Sequence, residues 1–127
     1  MKLNAVAVTA KNLKKTVKFY SLLGFQFSEF TEDEQHVETI ANGDAKLMVD
    51  STTMIKDILG EEPKPGNHSS FAVQYDSPEE VNEVARKIKE AGFTLVKEPW
   101  NAFWGQRYCV VQDPDGYMVD LYAYLSK

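Results

Sequence analysis

The sequence predicts an α+β fold in which two βαβββ modules form a cleft lined by curved sheets. Two observations predict it: the order strand, helix, strand, strand, strand can be traced twice, and both long helices end at the same dipeptide, Gly24-Phe25 and Gly92-Phe93. Internal repetition indicates repeated structural units. Each unit alone leaves a sheet incompletely covered, so association of the two buries apolar surface. We expect a single domain over 1–127, with module one at about 1–51, a linker at about 52–66 and module two at about 67–127.

The first module begins with a β-branched apolar run at 3–10, typical of a buried strand. Asn12 is placed to cap the next helix, whose apolar residues recur at helical spacing until Gly24: Leu13, Val17, Tyr20 and Leu23. Three short strands are predicted after it, in FQFSEF (25–30), HVETIA (36–41) and AKLMVD (45–50). A short helix to Leu59 should follow, and then a linker containing Pro63 and Pro65.

The second module repeats the pattern from HSSFAVQY (68–75), a predicted strand. In the following helix Ser77 is the expected N-cap, Pro78 the first helical residue and Glu80 the other half of a capping box. Its buried stripe should be Val81, Val84, Ala85 and Ile88, with Gly92 just past its end. The last strands are predicted in TLVKEPW, RYCVVQ and MVDLYAY.

Composition narrows the function classes. The net charge of −5, without a cluster of basic residues, argues against nucleic acid, and no apolar run is long enough to span a bilayer. One cysteine, Cys109, excludes an internal disulfide and is expected to be a small core residue. With no secretory signal pattern at the N-terminus, we expect a cytoplasmic protein.

The tetrapeptide Asp-Pro-Asp-Gly at 113–116 could belong to a turn or to a calcium loop. An EF-hand register would put Val111 and Tyr122 at ligand positions 1 and 12, where neither can serve. A type I turn places every residue where its chemistry favours it, with Asp113 bonding to nearby backbone and Gly116 at the fourth position. The pattern therefore predicts a turn, and Asp120 on the following strand needs another explanation.

The strings FYSLLGF, HSSFAV and WGQRYCVVQDPDGYMVDL, together with the paired modules, resemble the vicinal oxygen chelate superfamily of glyoxalases, bleomycin-resistance proteins and extradiol dioxygenases. The resemblance implies the glyoxalase/bleomycin-resistance fold. In metal-using members each half supplies one ligand from its first strand, often His or Gln, and one from its last strand, usually Glu. Carried over, these positions fall on Ala5 and Met48 in the first half and on His68 and Asp120 in the second.

This carry-over predicts no metal and no other cofactor, because a catalytic divalent ion needs about three protein ligands and neither alanine nor a thioether suits it. The closest relatives in character are metal-free, bleomycin-resistance-like members that sequester an antibiotic or aromatic ligand. Two alternatives stay open. If the ligand positions are misplaced on the strands, the protein is a metal-dependent lyase, isomerase or dioxygenase. Alternatively, it is a metal-free enzyme of glyoxalase type that uses His68 and Asp120 for acid–base catalysis.

The expected partner is a small-molecule ligand, bound by a homodimer that has no nucleic-acid or membrane partner. Strand alternation puts Asp120 and Tyr122 on the cleft face, and EPWNAFWGQRY gathers aromatic side chains beside them. Trp104 could instead only pack its hairpin, and Arg107 could only cover a strand edge. His36 is assigned no role. The candidate ligand-binding residues are Met48, His68, Trp100, Phe103, Trp104, Arg107, Asp120 and Tyr122.

Overall fold

The chain folds into two compact units, Met1–Pro65 and Gly66–Lys127, separated within the predicted linker. The structure, a computed structural model, describes residues 1–40, 43–66 and 70–126. The first unit combines two helices, and the second unit one helix, with one small sheet each, so the α+β class is confirmed. None of the helices in these ranges is long and apolar enough to cross a membrane.

The first unit consists of β1 (Ala5–Ala10), α1 (Leu13–Leu23), β2 (His36–Glu38), β3 (Lys46–Ser51) and α2 (Thr52–Leu59). Its sheet has the order β1-β3-β2, with β1 parallel and β2 antiparallel to β3. The buried side chains come from α1 and from alternate strand positions: Val8, Ala10, Phe19, Tyr20, Leu23, Val37, Leu47 and Val49. The remaining positions of the strands therefore lie on the opposite face of this sheet.

The strand predicted at 25–30 is wrong. This segment makes a single bridge, between Phe27 and Thr39, and otherwise has no regular structure. The physical reason is pairing: Phe25 and Phe27 alternate as strand residues should, but the segment reaches a neighbouring strand only through the Phe27–Thr39 bridge. Ala41, at the end of the predicted strand 36–41, lies outside the described residues.

The second unit consists of β4 (Phe71–Gln74), α3 (Pro78–Glu90), β5 (Thr94–Ala102), β6 (Gln106–Gln112) and β7 (Met118–Tyr124). The sheet has the order β4-β7-β6-β5, in which only the β4–β7 pair is parallel. The predicted stripe of α3 is buried, as are the alternate strand residues Cys109, Val111, Val119, Leu121 and Ala123. The predicted βαβββ order holds here, although the first two residues of the strand predicted at 68–75 lie outside the described ranges.

The repeat extends to the way in which the two long helices end. The Phe25 amide donates to the Tyr20 carbonyl and the Gly24 amide to the Ser21 carbonyl. At the end of α3, Phe93 donates to Ile88, and Gly92, at φ +84°, to Lys89. Both ends are Schellman motifs, which need a residue in the left-handed region and so favour glycine. The shared Gly-Phe dipeptide thus encodes one shared helix terminus.

The turn at 113–116 is confirmed. The Gly116 amide donates to the Asp113 carbonyl at 3.1 Å, and Asp113 Oδ1 accepts from the backbone amides of Asp115 and Tyr117 at 2.9 and 3.0 Å. Cys109 is fully buried, and desolvation raises the pKa of its thiol to about 12. It is therefore the small core residue that the sequence predicts and not a nucleophile.

Candidate functional site

The candidate site lies on the face of the second unit's sheet that is turned away from α3, hereafter the open face. In β7 the buried residues Val119 and Leu121 alternate with the half-buried Asp120 and Tyr122, as predicted. Tyr108 on β6 pairs in register with Tyr122 and therefore shares its face. These strands deliver side chains to the open face at fixed spacing.

Six aromatic rings form a connected cluster on this face, hereafter the aromatic platform. Tyr108 is at its centre: it stacks on Tyr122 with ring centroids 5.9 Å apart and 20° between planes, and it meets Trp104 edge to face at 5.3 Å. Trp100 pairs in register with Tyr108, its ring 5.5 Å away. The members are Trp100, Phe103, Trp104, Tyr108, Tyr122 and Tyr124. The platform includes both tryptophans of the protein.

Asp120 lies beside the platform and is hydrogen-bonded to two hydroxyl groups. Its Oδ2 accepts from Tyr108 Oη at 2.7 Å and from Ser70 Oγ at 3.2 Å. Burial and the bond to the carboxylate raise the pKa of Tyr108 to about 12. Tyr108 therefore stays a neutral donor at physiological pH and holds the carboxylate in place. Nearby on the same face, Tyr122 Oη donates to Gln74 Oε1 at 3.2 Å.

The predicted binding residues divide between several locations. Trp100, Phe103, Trp104 and Tyr122 do come together with Asp120 in the second unit. Arg107 does not join them, because its guanidinium donates to Asn82 on α3 and to Asn101, on the other side of the sheet. Arg107 therefore has a structural role on the α3 side of the sheet. This resembles the alternative given in the sequence analysis, in which it only covers a strand edge.

The repeat bears on the ligand carry-over, which put the first-strand positions on Ala5 and His68. Ala5 lies seven residues before the N-cap of α1, and the residue seven before the N-cap of α3 is Ser70. Ser70 is thus the equivalent of Ala5, and His68 lies outside the described residues. Ala7 and Ala72 each lie five residues before these N-caps. Ala7 pairs with Met48 and Ala72 pairs with Asp120, so Met48 and Asp120 are also equivalent.

The first unit carries a polar network that the sequence interpretation missed. His36 Nδ1 lies 2.5 Å from Asp50 Oδ1, and His36 Nε2 lies 2.9 Å from Glu38 Oε2. The other oxygen of Glu38, Oε1, accepts from Lys46 Nζ at 2.9 Å. Met48 is the register partner of Glu38 in the same sheet. The signal was available: His36 and Glu38 are two residues apart on a strand, and so are Met48 and Asp50, so each pair shares a face.

This network predicts a pH-dependent contribution to stability. The hydrogen bonds to Asp50, and then to Glu38, raise the pKa of His36 above its ordinary value. Stabilisation from a raised histidine pKa is fully present below about pH 6.5, the unfolded value, and is lost as pH rises through the folded value. We therefore expect His36→Gln to destabilise the protein more at pH 6 than at pH 9 in urea unfolding. An equal loss at both pH values would contradict this assignment.

Among the residues that the structure describes, those at the family's ligand positions do not fit a catalytic divalent ion. Of the ligand positions carried over from the family, Ala5 has no donor atom, Met48 offers a thioether and His68 lies outside the described residues. Ser70, the repeat equivalent of Ala5, has a hydroxyl that is already bonded to Asp120. Both ring nitrogens of His36 are engaged by carboxylates. Within the described ranges, no three His, Cys, Asp or Glu side chains are grouped as such an ion requires.

An open groove of about 710 Å³ lies elsewhere, in the first unit between α1 and the segment 25–32. Its walls include Phe25, Phe27 and Ile40, and its polar groups include Lys14 and Glu32 at exposed positions. Ligand sites usually combine apolar walls with polar groups that converge on the ligand. The platform has that combination around Asp120, so we place the candidate site there.

Comparison with known proteins agrees with the repeated architecture. A sequence profile of the Glyoxalase/Bleomycin resistance protein/Dioxygenase superfamily matches residues 2–121, nearly the whole chain. The chain belongs to this superfamily. The resemblance drawn from the sequence is thereby confirmed.

Relatives of this glyoxalase-superfamily protein are distant. An uncharacterized protein of Bacillus subtilis, YraH, is 28% identical over 130 residues, covering 98% of this chain and 100% of the relative. A family enzyme from Burkholderia phytofirmans has a TM-score of 0.82 at 18% identity, covering 98% of this chain and 100% of its own. Lactoylglutathione lyase from Agrobacterium tumefaciens has a TM-score of 0.69 at 16% identity, with coverages of 96% and 92%. Structures this divergent establish the fold alone.

Proposed function

We propose that this glyoxalase-superfamily protein binds a flat small molecule on its aromatic platform and sequesters it without a metal ion. The observation that carries the proposal is the platform itself, six connected rings beside a fixed carboxylate. Ring faces stack on flat ligands and contribute about 0.5–1.5 kcal/mol each beyond burial. Trp104, 48% exposed at the hairpin tip, offers such a face to solvent.

Binding rather than turnover is supported by the chemistry of the described groups. A general base works best when its pKa is near the operating pH, and the phenol of Tyr108, with a pKa raised to about 12, is far from that range. Asp120 is already held by two hydroxyl donors. His68 and Asp120 remain the pair to test for acid–base catalysis.

Metal content provides the first test. Protein dialysed against chelator should retain no stoichiometric divalent metal, and added zinc, nickel or manganese should raise its melting temperature little, because the ligand positions include Ala5 and Met48. A tightly bound ion would stabilise the fold by about 3–4 kcal/mol at concentrations far above its Kd. One equivalent of metal surviving the chelator would overturn the metal-free proposal.

A second candidate function is a metal-dependent lyase or isomerase, which membership of the superfamily leaves open. It predicts the opposite metal result, together with turnover that depends on the added metal. The same superfamily contains dioxygenases, for which oxygen consumption is the matching assay.

We propose further that the protein is a cytoplasmic homodimer. An exposed sheet face can be completed by two-fold association, which needs only one self-complementary patch. Light scattering at micromolar concentration should therefore give twice the chain mass of 14.4 kDa. A monomeric mass would remove this proposal and leave the binding site of the second unit unaffected.

A further inference from the structure

The carboxylate beside the aromatic platform has no cationic partner among residues 1–40, 43–66 and 70–126. Asp120 Oδ2 accepts from two neutral hydroxyls, and its Oδ1 has no hydrogen-bond partner among the residues that the structure describes. Every acidic member of the ion pairs in this part of the chain is another residue, such as Glu83 or Glu98. Within the described part of the chain, the Asp120 carboxylate is therefore held in position without a counter-ion.

The surrounding rings favour positive charge for a separate reason. The face of an aromatic ring carries negative electrostatic potential, so it attracts ammonium and guanidinium groups within about 6 Å of its centroid. The platform already makes such a contact, because Lys97 Nζ lies 4.5 Å from the centroid of the Trp100 ring. The rings next to Asp120 are Tyr108, which bonds to it from β6, and Tyr122, two residues along β7.

Other described titratable side chains near the platform do not change its preference for positive charge. Arg107 donates to Asn82 and Asn101 on the α3 side, and Glu98 accepts from Lys89 of α3. Lys97 is the basic side chain that contacts the platform, and its ammonium group is over Trp100. The open face thus combines a basic edge at β5 with an acidic centre at β7.

We infer that the ligand of this platform is an organic cation, a flat ring bearing an ammonium or amidinium group, with Asp120 as the residue that selects its charge. The inference rests on the proposed binding function and specifies the class of ligand. The ring stacks against Tyr108 and Trp104, and the cationic nitrogen donates to the open Oδ1 of Asp120. An amidinium group matches this arrangement because it is planar and cationic, and one of its N–H groups can donate to the open Oδ1 as a charge-assisted hydrogen bond.

The test compares benzamidine, benzamide and benzoate, which share one ring and differ in charge. Binding is followed by ¹⁹F NMR of protein labelled with 5-fluorotryptophan, whose two tryptophans are both in the platform. We expect benzamidine to bind about tenfold more tightly than benzamide, with benzoate weakest. Asp120→Asn, which keeps a side-chain oxygen that can accept from Tyr108 and Ser70, should remove the preference for benzamidine over benzamide.

The outcomes separate the two proposals. If benzamide and benzamidine bind equally to the wild-type protein, the platform is a ligand site but the inference about charge is wrong. If none of the three probes shifts the tryptophan resonances, the platform is not a site and both proposals fail. Equal melting temperatures of the wild-type and Asp120→Asn proteins establish that the variant is folded, and the wild-type series alone decides the charge preference.

Discussion

Replacing Trp104 with alanine is expected to weaken the binding of benzamidine by about 1–3 kcal/mol, the effect of losing a central aromatic anchor. The reason is geometric: the indole is 48% exposed, its ring is 5.3 Å from Tyr108, and its Nε1 donates to Gln106 at 2.8 Å. The ring is therefore oriented by its neighbours and still accessible. The affinities of the two proteins are compared by NMR titration.

The same substitution should change stability little. A fully buried tryptophan truncated to alanine would cost about 3–5 kcal/mol, whereas Trp104 lies at the hairpin tip and keeps half its surface in water. Ile58→Ala is the matched control, because this exposed apolar residue lies on α2 in the other unit. It should leave binding unchanged. A large fall in melting temperature for Trp104→Ala would identify Trp104 as a core residue and contradict its role as an anchor.

Asp113→Ala is expected to destabilise the second unit by about 2–3 kcal/mol, because it leaves two partly buried backbone donors without an acceptor. Asp113 is only 4% exposed, and its Oδ1 bonds to the amides of Asp115 and Tyr117. The turn connects β6 to β7 and so holds the register that places Tyr108 beside Asp120. Urea unfolding at neutral pH measures the loss.

Asp113→Asn separates the hydrogen bonds from the charge. The amide retains an oxygen in the Oδ1 position and can still accept from both backbone donors, so it should recover about half of the lost stability. An Asp113→Ala protein within about 0.5 kcal/mol of wild type would contradict the structural role of the turn, since that is the range of ordinary surface substitutions.

Most of the fold could be predicted because its signals are local. Ser77 and Pro78 mark the start of α3, Gly92 marks its end, and alternation in 118–124 separates the buried face of β7 from its open face. The segment 25–30 failed for a non-local reason. A strand is defined by its pairing, and phenylalanines at 25 and 27 do not determine whether a neighbouring strand is within reach.

The site was predicted less completely, because its geometry depends on which strands are neighbours. The sequence places Asp120 and Tyr122 on one face, but only the register of β6 against β7 brings Tyr108 to Asp120. Arg107 is the converse case. Its chemistry suits an anionic ligand, but it lies two residues before the buried Cys109 in β6 and therefore points to the α3 side. The His36 network was missed because strand pairing, not proximity in sequence, joins His36 to Asp50.

The most direct test of metal-free binding on the platform is the ¹⁹F spectrum of chelator-treated, 5-fluorotryptophan-labelled protein during a titration with benzamidine. Both resonances, from Trp100 and Trp104, should shift saturably with one common affinity, because the two rings are 6.1 Å apart in the same cluster. Adding zinc or manganese should not change that affinity. Resonances that stay fixed in the absence of metal and move only after metal is added would contradict the account.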